Sequence, residues 1–359
     1  MKKYKVGVIG ATGMVGQRFV SLLKNHPWFQ LSVVAASSRS AGRTYEESVA
    51  GRWQMPNPIP DEACKLVVYD AQTDIDQIAQ CVDFVFSAVD MKKEEIKALE
   101  LKYAQAECPV ISNNSAHRWT PDVPMVIPEV NPEHTEIIDF QRKRLGTKRG
   151  FIAVKSNCSI QSYIPALHPL KDTFGLTHAL VCTYQAISGA GKNFDTWPEM
   201  IDNVMPLISG EEEKTEQEPL KIWGTITGTQ IVPAVSLSIT SQCIRVPVTD
   251  GHLAAVFMAF NEKPATHDIK KIWQEFKGRP QILKLPSAPN QFLNYFEDSD
   301  RPQTKLDRML EDGMAISLGR LRPDNQYDYR FIGLSHNTLR GAAGGAVLLA
   351  ELLCADGFI

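Results

Sequence analysis

A short apolar run, residues 4–9, passes directly into Gly10-Ala11-Thr12-Gly13-Met14-Val15-Gly16. Beyond it Val15, Phe19, Leu22 and Leu23 share one face at helical spacing. No other feature constrains the fold as much. A glycine turn between strand and helix lets backbone N–H groups approach an anion at the helix N-terminus, above all a dinucleotide pyrophosphate. A second strand, 31–36, follows His26-Pro27 and completes a β-turn-α-β unit, the opening of a doubly wound sheet. The spacing is Gly-x-x-Gly-x-x-Gly, which carries weight through its context rather than alone. Gly10, Thr12, Gly13, Met14 and Val15 are the expected cofactor contacts. The lysines of the first five residues resemble a leader's basic start, but glycines interrupt the apolar run and no small-residue cleavage site follows, so the segment reads as a strand.

An NAD site usually has a carboxylate at the end of the second strand to hold the ribose 2′-hydroxyl. Here the chain reads Ala36-Ser37-Ser38-Arg39-Ser40. Two hydroxyls and a guanidinium suit a 2′-phosphate, so Ser37, Ser38 and Arg39 favour NADP; a solvated polar loop is the plainer alternative. Further strands are expected at 65–69, 83–89, 109–112 and 151–155, with an irregular insertion at 41–60. The second half predicts longer strands at 178–186 and 253–260 and helices at about 197–223 and 266–276, a mixed α/β domain with an antiparallel sheet. A small-residue helix, 341–354, is expected to pack back on the first domain. The 359 residues therefore divide into an N-terminal Rossmann-like domain, 1–157 completed by 336–359, and a mixed α/β domain, 158–335.

A net charge of −3 gives no electrostatic reason to expect nucleic acid or an anionic membrane as partner. No apolar run approaches the roughly 18 residues that span a bilayer. The seven cysteines are scattered, odd in number and lack metal-ligand spacing, which reads as reduced cytoplasmic thiols and no metal. One of them differs. Lys155-Ser156-Asn157-Cys158-Ser159 follows a strand and precedes a helical stretch running towards Leu170, where a helix dipole favours thiolate. Pro165 predicts a kink there. The other six lie in apolar patterns and read as buried and inert. A thiolate beside a nicotinamide predicts capture of an activated acyl group, then hydride transfer to the thioester. His252 is the best acid/base candidate, although a lone histidine is more often structural. Its context is Arg245, a strand arginine between apolar neighbours, costly unless it meets a carboxylate or phosphate.

Taken in order, the glycine loop, Ser156-Asn157-Cys158-Ser159, Tyr184-Gln185-Ala186-Ile187-Ser188-Gly189-Ala190-Gly191, Arg245 to His252 and His336-Asn337-Thr338 to Gly344 resemble the aspartate-semialdehyde dehydrogenases from end to end. The segment 36–42 and Gly210-Glu211-Glu212-Glu213-Lys214 resemble the archaeal and fungal branch. The resemblance implies NADPH-dependent reductive dephosphorylation of L-aspartyl 4-phosphate to L-aspartate 4-semialdehyde, and a homodimer or homotetramer built through the second domain. It implies Cys158 as nucleophile, His252 as the acid/base that deprotonates it, and Gln185 orienting the acyl group. Arg245 would grip the α-carboxylate, and Glu211 with Lys214 the amino group and phosphate. Glu218 and Lys221 repeat the same spacing, so that pair is ambiguous. Arg118 and Asn157 would hold the phosphate, and Ser188, Gly189 and Asn337 would lie on the nicotinamide side. Reductases of N-acetyl-glutamyl phosphate or of malonyl- or succinyl-CoA share this chemistry, and a non-catalytic NADP sensor shares the first loop; both stay open here.

Overall fold

The computed structural model describes residues 3–359. Short, nearly uninterrupted apolar runs form strands buried on both faces, which is what a parallel sheet under helices requires. They are β1 (Tyr4–Ile9), β2 (Phe29–Ala36), β3 (Val68–Asp70), β4 (Phe84–Ser87), β5 (Val110–Ser112), β6 (Met125–Val126) and β7 (Ile152–Lys155). All pair in parallel, in the order β3-β2-β1-β4-β5-β7-β6. The chain winds one way from β1 to β2 and β3, and the other way from β1 to β4. The carboxyl end of β1 is thus the switch point where open α/β sheets leave a crevice, and Gly10 stands there. The two-residue β6, lying outside β7, escaped the sequence reading, and β3 begins later than expected.

The second half holds β8 (Leu176–Gln185), a hairpin of β9 (Thr225–Thr227) and β10 (Gln230–Val232), then β11 (Ser238–Arg245), β12 (His252–Phe260), β13 (Leu293–Phe296), β14 (Ile316–Pro323) and β15 (Tyr329–Ser335). Six of these form one sheet, β11-β8-β12-β15-β14-β13. It is mixed rather than antiparallel as expected, because β11 lies parallel to β8, and β13 to β14. The β8–β11 crossover carries the helix Glu211–Ile222, only the second half of the one expected at 197–223. Pro198, Pro206 and the left-handed Gly210 (φ 66°) break the pattern before it. Pro165 makes no kink: it stands in the first turn of the helix Ile164–Phe174, where no N–H is needed, and the interior proline is Pro169.

The chain's end ties the two halves together. A π turn, Leu339–Ala343, leads into the helix Gly344–Ala355, buried from Gly344 to Leu353. One side packs with Val6, Val8, Phe19 and Phe86 under the parallel sheet; Leu348 and Leu352 meet Leu285 and Met314 of the second half. Buried Glu351 accepts from the Ser287 amide and hydroxyl and pairs with His26 at 2.8 Å. Arg340 makes a bidentate pair with Glu129 and reaches Gln161. Among the described residues no helix is long and apolar enough to cross a membrane.

Candidate active site

Gly10 has φ 82°, and a Cβ there would lie 2.4 Å from the Ala88 carbonyl oxygen; a Cβ on Gly16 would lie 2.1 Å from that of Gly10. The first turn is therefore pressed flat between β1 and the end of β4, so that only glycine fits at both positions. Gly13 is the exposed N-cap of the helix Met14–Leu22 and has space around it. The insertion 41–60 braces this turn. It contains a short helix, Tyr45–Val49, closed by a Thr44/Glu47 capping box. Fully buried Tyr45 donates its hydroxyl to the Ala11 carbonyl at 2.9 Å. Buried Gln17 donates to the Thr12 and Arg52 carbonyls, both at 3.0 Å, and accepts from the Gln54 amide. Ser37, Ser38 and Arg39 are exposed just beyond β2. A flattened glycine cradle with hydroxyls and a guanidinium at the neighbouring strand end fits a 2′-phosphorylated dinucleotide.

Cys158 follows β7 by three residues and precedes a four-residue 3₁₀ turn, Ser159–Ser162, rather than an α-helix directly. So short a turn supplies little dipole. Burial, and then the Glu211 carboxylate, push its thiol up, against the pull of Lys155, Arg118 and Arg245. On balance the half-buried thiol stands above its ordinary value in the open cleft. Cys158 lines a cleft of about 270 Å³ together with Asn157, Gln185, Glu211, Lys214 and Arg245. Val15, Arg118, Ser188, Gly189 and Asn337 complete it, so the glycine-loop helix and the cysteine share one opening. A roomier cleft of about 590 Å³ at Lys5, Asp83 and Arg149 opens at the amino ends of β1 and β4 and holds none of these groups.

Each side chain has a physical reason for its pose. Arg245 ends β11, is buried, and donates to the Ala186 carbonyl at 2.7 Å with no carboxylate partner among the described residues. Such a guanidinium is an anion site in waiting. Glu211 accepts from the Asn157 amide at 2.6 Å and pairs with half-buried Lys214 at 3.2 Å. Gln185 ends β8 and donates to the Thr183 hydroxyl. Asn337 donates to the Ser188 hydroxyl and accepts from the Gly251 amide. The second Glu-x-x-Lys copy faces elsewhere. Glu218 pairs with Arg118 at 2.8 Å and accepts from the Asn157 amide N–H at 2.7 Å. Lys221 is spent on the Arg118, Thr120 and Val123 carbonyls. Arg118 lines the cleft with its charge already matched by Glu218.

His252 opens β12, fully buried. Its Nδ1 accepts from the Ala186 amide at 3.1 Å, so the neutral ring carries its proton on Nε2, which has no partner. That nitrogen lies against Gly189, where an added Cβ would come within 3.0 Å of both it and Arg245 Nη1. Burial, reinforced by Arg245, holds the ring well below the ordinary histidine range. In this state the free nitrogen is a donor facing Gly189 and the Arg245 guanidinium.

The cleft also includes Asn113, Asn114 and Ser115 after β5, and Thr338, Gly341 and Ala342 on the closing turn, none of which were expected. Gly341 had a signal in the glycine of His336-to-Gly344: a Cβ there would lie 2.9 Å from that of Cys158. The asparagine pair had none beyond its place at a strand end.

Residues 5–138 match the family described as semialdehyde dehydrogenase, NAD binding domain, and residues 167–340 the semialdehyde dehydrogenase dimerisation domain. Aspartate-semialdehyde dehydrogenase of Aspergillus fumigatus is 40% identical, the alignment covering 99% of each chain. That of Archaeoglobus fulgidus is 41% identical over 99% of this chain and 100% of its own. The crystal structure of the Candida albicans aspartate-semialdehyde dehydrogenase with NADP superposes with a TM-score of 0.90 at 37% identity over the whole of both chains. With both domains matched and relatives aligned from end to end, the chain belongs to the aspartate-semialdehyde dehydrogenase family.

Proposed function

We propose that this chain catalyses the NADPH-dependent reductive dephosphorylation of L-aspartyl 4-phosphate to L-aspartate 4-semialdehyde. The observation that carries the reading is one cleft in which a cysteine, a buried unpaired guanidinium and a Glu211–Lys214 pair meet the dinucleotide loop. Arg245 offers a fork for the substrate α-carboxylate, and Glu211 an acceptor for its amino group. Lys214, Asn157 and Arg118 surround the phosphate. The Cys158 thiol gives up its proton through the cleft to solvent, Sγ attacks the acyl carbonyl, the phosphate leaves with the C–O bond's electrons, and a thioester forms. NADPH, when bound, supplies the hydride that reduces this thioester. His252 Nε2–H stands to donate to the tetrahedral oxygen, and Gln185 to orient the acyl group. Collapse expels the cysteine sulfur and frees the aldehyde.

Exposed Ile201, Val204, Leu207 and Val235 flank the edge strand β11, an apolar surface fit for a second copy, and a homodimer is the assembly it supports. In this reading the first domain runs over 1–157, and 336–359 returns to complete it. A reducing cytoplasm suits a reactive, unpaired Cys158.

The test is phosphate-dependent reduction of NADP with L-aspartate semialdehyde, followed by nicotinamide absorbance beside NAD and N-acetylglutamate semialdehyde. Reduction with aspartate semialdehyde alone, faster with NADP, is expected. Activity confined to a CoA thioester would keep the cysteine chemistry and overturn the substrate.

A further inference from the structure

The helix Glu211–Ile222 meets the cleft with its first turn, through Glu211 and Lys214, and closes with its last turn on the loop between β5 and β6. That loop carries Arg118. Lys221, in the last turn, is 2% exposed, and a buried ammonium is costly unless it is fully compensated. Its Nζ donates to three carbonyls of the loop, those of Arg118 at 2.6 Å, Thr120 at 3.0 Å and Val123 at 3.0 Å. An ammonium has three donors, so none is left over. Neither Thr120 nor Val123 lines the cleft, and the cage therefore governs the path of the loop rather than a ligand.

Arg118 is held at both ends by this one turn of helix. Lys221 takes its carbonyl and Glu218 its Nη1 at 2.8 Å, while Nε donates to the Lys155 carbonyl at 3.0 Å. The second oxygen of Glu218 accepts from the Asn157 amide at 2.7 Å, so Asn157 hangs from the same turn. Of the guanidinium nitrogens only Nη2 has no partner among the described residues, and Arg118 lines the cleft beside Asn157. One edge of the fork is fixed in the protein and the other is left for an anion. We propose that Lys221 is a positioning residue for the phosphate: it fixes the loop that aims Arg118 Nη2, without touching substrate. This role rests on Arg118 meeting the phosphate in the reaction proposed above. Burial draws the amine down to about 8, while Asp122 and Glu218 pull it up. Arg118 and His134 also face it, and Asp122 is itself paired with Arg144. A neutral amine has two hydrogens for three carbonyls, so above that pH the loop loses a tie.

The experiment is phosphate-dependent reduction of NADP with L-aspartate semialdehyde by the wild-type protein and by K221M, which keeps an unbranched stem and removes the donors. KM for phosphate should rise about tenfold, as for loss of one charge-assisted bond to the anion, with KM for NADP constant. A phosphate KM equal to that of the wild type, or one that rises in step with KM for NADP, would overturn the proposal. Should K221M not fold, C158S serves instead, with inorganic phosphate titrated calorimetrically into its NADP complex. The site then has no thiol to titrate, and the dissociation constant should rise severalfold from about pH 7.5 to 9. A constant that stays flat over that range rules out Lys221 as the support of the phosphate site. This arm needs no turnover, so its failure is distinct from that of the proposed reaction.

Discussion

Two glutamates with the same Glu-x-x-Lys spacing on one helix should fail in opposite ways when cut to alanine. Glu218 is 1% exposed, pairs with Arg118 at 2.8 Å and accepts from the Asn157 amide. E218A leaves a buried guanidinium without its carboxylate and an amide without an acceptor. Breaking such a pair costs about 3–5 kcal/mol. Glu211 has a partner, Lys214, that is 36% exposed, so its ion pair contributes roughly 0.5 kcal/mol. Its bond from Asn157 adds about 1 kcal/mol. At about 2–4 °C per kcal/mol for a unit of 150–250 residues, E218A melts on the order of 10 °C low and E211A roughly 3–5 °C low. The kinetics should reverse the order. Assayed below both transitions, E211A raises KM for aspartate semialdehyde far more than E218A does. Thermal scans of purified variants and initial rates decide it. Equal melting points, or a normal KM in E211A, would refute the division of labour between the two copies.

C158A should abolish turnover while NADP still binds, as read by fluorescence titration; residual turnover would exclude the thioester. R245K replaces a fork by a point charge and should raise substrate KM by about ten- to a hundredfold with kcat little changed, on a charge-assisted bond of about 1.5–3 kcal/mol; unaltered KM contradicts the anion-site role. Y45F removes the hydrogen bond to the Ala11 carbonyl, worth about 1 kcal/mol, and should weaken NADP about fivefold with substrate KM constant. His336 is drawn by burial to about 4, and His252 is shifted in the same direction. The unfolded chain therefore takes up protons below about pH 6.5 that the folded one refuses. Stability is complete above that pH and falls as pH drops, by roughly 2 kcal/mol for His336 alone at pH 5. Urea midpoints flat from pH 7 to 5 would contradict this.

What could be read from the sequence was local. A strand, a glycine turn and an amphipathic helix are adjacent in the chain, and steric demands at Gly10 and Gly16 write themselves into residue type. The cysteine after β7 was legible for the same reason. What failed depended on distant partners. Glu211 and Glu218 are indistinguishable by spacing, and Arg118, a hundred residues before Glu218, tells them apart. The proton on His252 is placed by the Ala186 amide, which no pattern announces. The dipole expected at Cys158 has only a four-residue 3₁₀ turn behind it, a shortness that no local pattern shows. The helix expected from 197 overlooked how firmly Pro206 and a left-handed Gly210 punctuate the chain.

The helix Gly344–Ala355 lies roughly two hundred residues after the parallel sheet's last strand, β7, yet it packs under that sheet. Folding during synthesis proceeds domain by domain from the N-terminus. Here the nascent first domain must wait with Val8, Phe86 and their neighbours uncovered, and Cys158 waits without Gly341 at its side. Loss of the segment Gly344–Ala355 removes a wall shared by both domains, including the Glu351 that joins His26 to Ser287.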